Sequence, residues 1–255
     1  MSYRHFEVEE ATVNIGAMVS GIDLTQPMSA EICEELKQAL WRYQVLFFRD
    51  QALTPDSHVA LAATMGEMET HEIFDHVEGY PAISIIQHDK DHKPNINFWH
   101  TDVTFRAKPS LASILHGVTV PDSGGDTLWL SQQAAYEGLS DSMKQIVLGL
   151  QAEHSGIAAY RGSQLLAEAG AGRAEALAAM TPSIHPVVVR HPFTGKPGLF
   201  VNPTFTTKLV GYKREEGKAL LEMLYRHMQK PEYQVRFRWR NDSVAIWDNV
   251  ATQHY

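Results

Sequence analysis

Apolar and polar residues alternate along this chain with two different periods, and the period changes with position. Over "SAEICEELKQALWRY" the apolar residues Ile32, Leu36, Leu40 and Tyr43 recur at helical spacing and predict an amphipathic helix. Ser29 is placed to cap it, and Glu31, Glu34 and Glu35 sit near the end where the helix dipole favours anions. "TPDSHVALAATMG" predicts a second helix with Thr54 as cap and Pro55 at the first position. "SDSMKQIVLGLQAEH" and "REEGKALLEMLYRHMQ" carry the same spacing and predict two more.

Shorter runs have the strand period. "FEVEEATVN" reads as an opening strand, "VLFFRD" and "SVAIWDN" as buried ones, and "YQVRFRWR" alternates sharply. "AISIIQH", "SILHGVTV" and "DTLWLS" are β-rich runs separated by turn residues. "SIHPVVVRHPFTGKPGLFVN" predicts strand, turn, strand, and Asn241 and Asp242 predict another turn. Helices concentrate at the front and as insertions, which predicts an α+β class with a sheet sandwich or barrel at the centre and helices outside. One domain over 1–255 is expected, with the Ala/Gly-rich stretch inside 155–182 as either a lid or a surface insertion.

Composition narrows the function classes. A chain of 255 residues with a formal net charge of −8 and no clustered basic patch does not suit a nucleic-acid partner, and small molecules are expected instead. Cys33 is the only cysteine, which excludes an intrachain disulfide and a thiolate metal cluster. The start lacks the apolar core of a secretory signal and no apolar run is long enough to span a bilayer, so no membrane partner and a cytoplasmic location are expected.

"FWHTDVTF" sets His100 and Asp102 two places apart in an apolar, β-branched stretch. If it is extended, both polar tips project from one strand face and form a pair of metal ligands. A facial site needs a third ligand, and His254, just beyond the buried "AIWDN" strand, is the candidate. Most of the 13 histidines, including His5, His58, His92 and His227, have the context of ordinary surface or hydrogen-bonded residues. Two histidines and a carboxylate leave three octahedral positions open, which suits ferrous iron with a chelating cosubstrate and dioxygen. Zinc hydrolysis is the competing use of such ligands.

Together "WHTDVTF", "SGGDTLW", "HPVVVRHPFTGKPGLFVN", "FTT", "VRFRWR" and "AIWDNVATQHY" resemble the taurine dioxygenase (TauD/TfdA) family of iron(II)- and 2-oxoglutarate-dependent oxygenases, in order from "IGAMVSGIDL" to the last residue. The resemblance implies a distorted double-stranded β-helix, or jelly roll, with His100, Asp102 and His254 binding Fe(II). It implies 2-oxoglutarate chelating that iron, O2 as the other cosubstrate, Thr127 binding a 2-oxoglutarate carboxylate and Trp247 placing its ring beside the iron. It also implies a substrate pocket formed by His71, Phe74, Val103, Tyr160 and Phe205, with Asn97 or Asn95, which flank Ile96, supplying an amide. Phe74 stands where taurine-oxidising relatives have a tyrosine. That lost donor, with Ile96 standing where those relatives have the asparagine, puts an alkyl sulfate ester, another organosulfonate or an aryloxy acid on a footing with taurine. Relatives carry an arginine beyond the distal histidine that clamps 2-oxoglutarate, so a C-terminal tail past Tyr255 is expected; Val250 also stands where relatives often have arginine. A homodimer or homotetramer is implied. The rival from another class is a cupin-like binding or sensing protein that keeps the metal ligands without oxygenase activity.

Overall fold

"VLFF" and "SVAIWD" alternate between two cores. The computed structural model describes residues 3–71, 73–88, 97–160, 172, 175 and 179–255. In it these runs are antiparallel neighbours, β3 (Val45–Phe48) and β14 (Ser243–Asp248), numbering the strands in chain order. Leu46, Phe48, Val244 and Ile246 turn one way, onto Leu36 and Leu40 of α1 (Ala30–Tyr43) and Leu61 of α2 (Pro55–Met65). Val45, Phe47, Ala245 and Trp247 turn the other way and pack with Trp129, Val235, Phe237 and Trp239. A side-chain period of two thus feeds a helical layer and a second sheet from the same strands.

The first sheet runs β1 (Glu7–Glu10), β2 (Ala17–Ser20), β3, β14, β6 (Ala112–Gly117). The sheet facing it runs β13 (Gln234–Phe237), β7 (Thr127–Ser131), β15 (Thr252–His254). On β7 the alternation repeats: Trp129 joins the inter-sheet core, while Leu130 turns outward to Ala135, Val147, Leu221 and Leu224. That outer core is built from α3 (Gln132–Glu137), α4 (Asp141–Leu148) and α6 (Arg214–Met228). A third sheet runs β12 (Thr206–Leu209), β8 (Gln151–His154), β9 (Ser183–Pro186). Two hairpins, β4 (His76–Val77) with β5 (Tyr80–Ser84) and β10 (Val188–Arg190) with β11 (Pro197–Leu199), complete the strands, and α5 (Gly156–Tyr160) follows β8. Sheets facing across a core with helices outside bear out the expected α+β class.

Local signals act where they were read. Ser29 Oγ accepts from Ile32 N at 3.3 Å, and Thr54 and Ser57 cap one another reciprocally. Two expectations fail at their ends. The helix over "SDSMKQIVLGLQAEH" stops at Leu148, where Gly149 follows, and "QAEH" is instead β8, held between β9 and β12. "AISIIQH" is a strand only as far as Ser84, with Ile85 and Ile86 exposed. Of the expected lid, residues 155–160, 172, 175 and 179–182 are described and the remainder lie outside the described residues. Among the described residues no helix is long and apolar enough to cross a membrane.

β8 also buries a histidine completely. His154 Nδ1 lies 3.0 Å from Thr104 Oγ1, which accepts from Asn202 Nδ2 at 3.2 Å, and burial with the neighbouring His185 holds the imidazole down to about 3. The unfolded chain protonates this side chain near its ordinary 6.5, so it takes up the proton first as pH falls. The contribution is complete above that value and is lost between it and about 3. His154→Asn is therefore expected to flatten the pH dependence of unfolding free energy, by about 2 kcal/mol between pH 8 and pH 5, measured by urea melts across that range.

Candidate metal centre

The chain passes from one sheet to the other through a turn at 249–251 that Asp248 builds. Its Oδ1 accepts from Val250 N at 2.9 Å and Ala251 N at 3.1 Å, and its carbonyl accepts from Thr252 Oγ1 at 2.7 Å. β15 then pairs with β7, setting His254 opposite Trp129. On its other side His254 meets His100: His100 N donates to His254 O at 3.0 Å and His254 N to His100 O at 2.8 Å. Two backbone hydrogen bonds thereby set the imidazoles side by side, with ring centroids 4.1 Å apart.

Asp102 arrives by a different route from the one its spacing suggested. Only His100 is β-paired; residues 102–105 form a turn closed by Arg106 N donating to Val103 O at 3.0 Å. Val103 sits in the left-handed region at φ 48°, which is strained for a β-branched residue. The extended-strand expectation is corrected here: a turn, not alternation along a strand, swings the carboxylate back toward the imidazoles. Thr101 Oγ1 donates to Thr252 O at 2.7 Å and ties this turn to β15.

Asp102 Oδ1 lies 3.7 Å from His100 Nε2 and 3.7 Å from His254 Nε2. One ligand atom from each residue falls within 4.8 Å of the others, and among the described residues this is the one such group of three able to share an ion. The donor set fits a divalent transition metal, with neutral imidazoles and one carboxylate. His100 Nδ1 is 3.1 Å from the Phe98 carbonyl, which can only accept, so Nδ1 carries a proton and Nε2 is the nitrogen turned to Asp102. Burial, and then the neighbouring His100, bring His254 down to about 3 against the pull of Asp102, so it is neutral at physiological pH. Its Nδ1 is buried with no hydrogen-bond partner among the described residues, so its tautomer is not set in the same way. Burial pushes the Asp102 carboxyl up, but the His254 and His100 rings and the Ser113 hydroxyl outweigh it and hold it below the usual carboxylate range.

Beside the triad is an apolar cluster of Ile73, Val103, Phe105 and Phe205, with Ile157, Tyr160 and Met180 against it. The Phe205 ring is 6.4 Å from His100 and 6.0 Å from Tyr160, and His71 is 4.6 Å from Phe74 and 6.4 Å from Tyr160. Five of the six expected pocket residues thus share one neighbourhood. Asn97 is exposed and no contact among the described residues links it to them; Asn95 and Ile96 lie outside the described residues.

Comparison with known proteins agrees with this geometry. The family model for the taurine catabolism dioxygenase TauD, TfdA family matches residues 7–255. The chain belongs to the TauD/TfdA family. An alkylsulfatase of Acinetobacter baylyi is 34% identical over 99% of this chain and 80% of its own length. An alpha-ketoglutarate-dependent sulfate ester dioxygenase of Pseudomonas putida is 34% identical over 98% of this chain and 83% of its own. The crystal structure of a taurine dioxygenase from Burkholderia xenovorans superposes with a TM-score of 0.83 at 37% identity, covering 98% of this chain and 82% of that one. As a TauD/TfdA member the chain is a 2-oxoglutarate-dependent dioxygenase, with Fe(II) and O2 following from the family.

Two further positions come from the TauD/TfdA resemblance. The Trp247 ring is 5.0 Å from that of His254. Thr127 shares a face of β7 with Trp129, whose ring is 6.4 Å from His254, and Thr127 Oγ1 accepts from Trp239 Nε1 at 2.9 Å. An indole N–H can only donate, so the threonine keeps its own proton for another acceptor. The sequence reading missed Ile73, Phe105, Ser113 and Asn249. Phe105 and Asn249 stand inside quoted motifs, whereas Ser113 is identifiable only once strand register sets it opposite Trp247.

Proposed function

We propose that this protein hydroxylates a small organic anion, a sulfate ester or organosulfonate, with oxidative decarboxylation of 2-oxoglutarate to succinate and CO2. The convergence of His100 Nε2, Asp102 Oδ1 and His254 Nε2 carries this reading, with those three side chains as the Fe(II) ligands. Iron and 2-oxoglutarate held at these residues would supply the activation of O2 needed to oxidise a substrate C–H bond. The rest falls to the chain's own residues. Ile73, Val103, Phe105 and Phe205 are buried apolar walls that keep water from the reacting carbon. His71 supplies a polar contact beside them, and Phe74 and Tyr160 orient the organic arm. A pocket so rich in aromatic rings supports an alkyl sulfate ester over taurine, in keeping with the alkylsulfatase likeness. Hydroxylation at the carbon bearing the ester oxygen gives a hemiacetal sulfate, which breaks down to an aldehyde and sulfate.

The finer architecture in this reading is a distorted double-stranded β-helix in a single oxygenase domain, which the facing sheets support. A cytoplasmic location with no nucleic-acid or membrane partner is in keeping with the acidic charge and the single cysteine, and a homodimer or homotetramer is what the TauD/TfdA resemblance implies.

Thr127 donates its free proton to a 2-oxoglutarate carboxylate. Thr127→Val is expected to raise the KM for 2-oxoglutarate roughly 10- to 100-fold, the range for losing a hydrogen bond to a charged group, while Thr127→Ser stays close to wild type. Succinate release measured with Fe(II) across alkyl sulfates, taurine, other sulfonates and aryloxy acids tests the function. Turnover with alkyl sulfates well above that with taurine is expected. No substrate-dependent succinate from any of them, or hydrolysis restored by zinc alone, contradicts it.

A further inference from the structure

The two oxygens of Asp102 have different surroundings. Oδ1 faces both imidazoles at 3.7 Å, whereas Oδ2 accepts from Ser113 Oγ at 2.7 Å. Ser113 in turn accepts from Asn249 Nδ2 at 2.9 Å, and Asn249 Oδ1 accepts from Trp247 Nε1 at 3.0 Å. The direction of every bond is forced by the ends. The indole is only a donor, so the amide must turn its oxygen toward Trp247 and its NH2 toward Ser113. The ionised carboxylate is only an acceptor, so the Ser113 proton must point at Oδ2.

The backbone holds this chain of bonds rigid. Ser113 and Trp247 are direct partners in the β6–β14 ladder, and Asn249 N donates to Leu111 O at 3.0 Å. Asn249 is 1% exposed and Trp247 5%, so water does not compete for the inner bonds. We propose that Ser113, Asn249 and Trp247 are positioning residues that occupy Oδ2 and leave Asp102 a single oxygen to offer the metal. A carboxylate free to rotate would bring both oxygens to the ion and fill a position that a chelating cosubstrate or O2 must take. The inference rests on Asp102 being a metal ligand, as read above.

Mn(II) affinity, read from the free-ion electron paramagnetic resonance signal, and the visible spectrum of the Co(II)-loaded protein test it without turnover. Ser113→Ala is expected to weaken Mn(II) binding about 10- to 100-fold and to shift the Co(II) bands, the usual scale for losing an outer-shell partner. Ser113→Thr, which keeps the hydroxyl, restores both. Trp247→Phe keeps a ring but frees the Asn249 amide to flip, and a loss toward the lower, ~10-fold end is expected; it carries the test if Ser113→Ala does not fold. Wild-type affinity and an unchanged Co(II) spectrum in Ser113→Ala, or in Trp247→Phe where that variant stands in, overturn the proposal. Equal weakness in Ser113→Ala and Ser113→Thr overturns it too, since packing would then be the cause. Asp102→Ala binding Mn(II) as well as wild type is a separate failure, of the ligand reading itself.

Discussion

Asp102→Ala is expected to lose its metal and, with it, turnover: kcat/KM for succinate release falls at least about 10³-fold, ~4 kcal/mol of transition-state stabilisation. The size follows from charge. Among the three donors only Asp102 is anionic, since a histidine side chain carries no negative charge and His254 is held neutral with its pKa at about 3. Removing the carboxylate leaves a divalent cation facing two neutral imidazoles, so affinity drops further than the ~10- to 100-fold of an outer-shell loss. Fold stability falls by less, because the side chain is 29% exposed and the main loss is the Ser113 hydrogen bond to a charged oxygen, about 1.5–3 kcal/mol. A Mn(II) titration beside a urea melt separates the two effects. Wild-type metal affinity in this variant would remove Asp102 from the site.

The largest effect on stability is expected from Asp248→Ala. Asp248 and His191 are 0% and 1% exposed at their side chains, with His191 Nε2 2.9 Å from Asp248 Oδ2. His191 Nδ1 accepts from Phe193 N at 3.3 Å and Thr194 N at 3.1 Å, so its proton is on Nε2, the nitrogen beside the carboxylate. The contact pins the "HPFTGKPG" turn to the end of β14, while the other carboxylate oxygen holds Val250 N and Ala251 N. Truncation removes at once the acceptor of two backbone donors and the carboxylate beside His191 Nε2. Each buried donor left without an acceptor costs about 1–3 kcal/mol, so the summed loss is a large part of an ordinary domain's stability. Because the same turn delivers His254, weaker Mn(II) binding is expected to accompany the lower urea midpoint. A loss under about 1 kcal/mol would show that the turn is held by other contacts.

How far the sequence could be read depended on the range of the signal. The buried strands at "VLFF" and "SVAIWD", the caps at Ser29 and Thr54, and the hairpin in "HPFTGKPG" are local, and the structure follows each. The helix run on into "QAEH" failed because strand pairing with β9 and β12 overrides helical spacing, a contest that local spacing does not register. His100, Asp102 and His254 could be named as candidates from type and spacing, but not the manner of their meeting. A bridge between residues far apart in sequence and a strained turn at Val103 bring them together. Ser113 had no sequence signal at all, since a serine in a β-rich run acquires its partner only from the register against Trp247.

The most direct test is anomalous diffraction from crystals of this protein soaked in Mn(II). A single strong peak bonded to His100 Nε2, Asp102 Oδ1 and His254 Nε2, at roughly the 2.0–2.2 Å usual for first-row ions with such donors, is the result predicted. A peak bonded elsewhere, or beyond bonding reach of any one of the three, would contradict it.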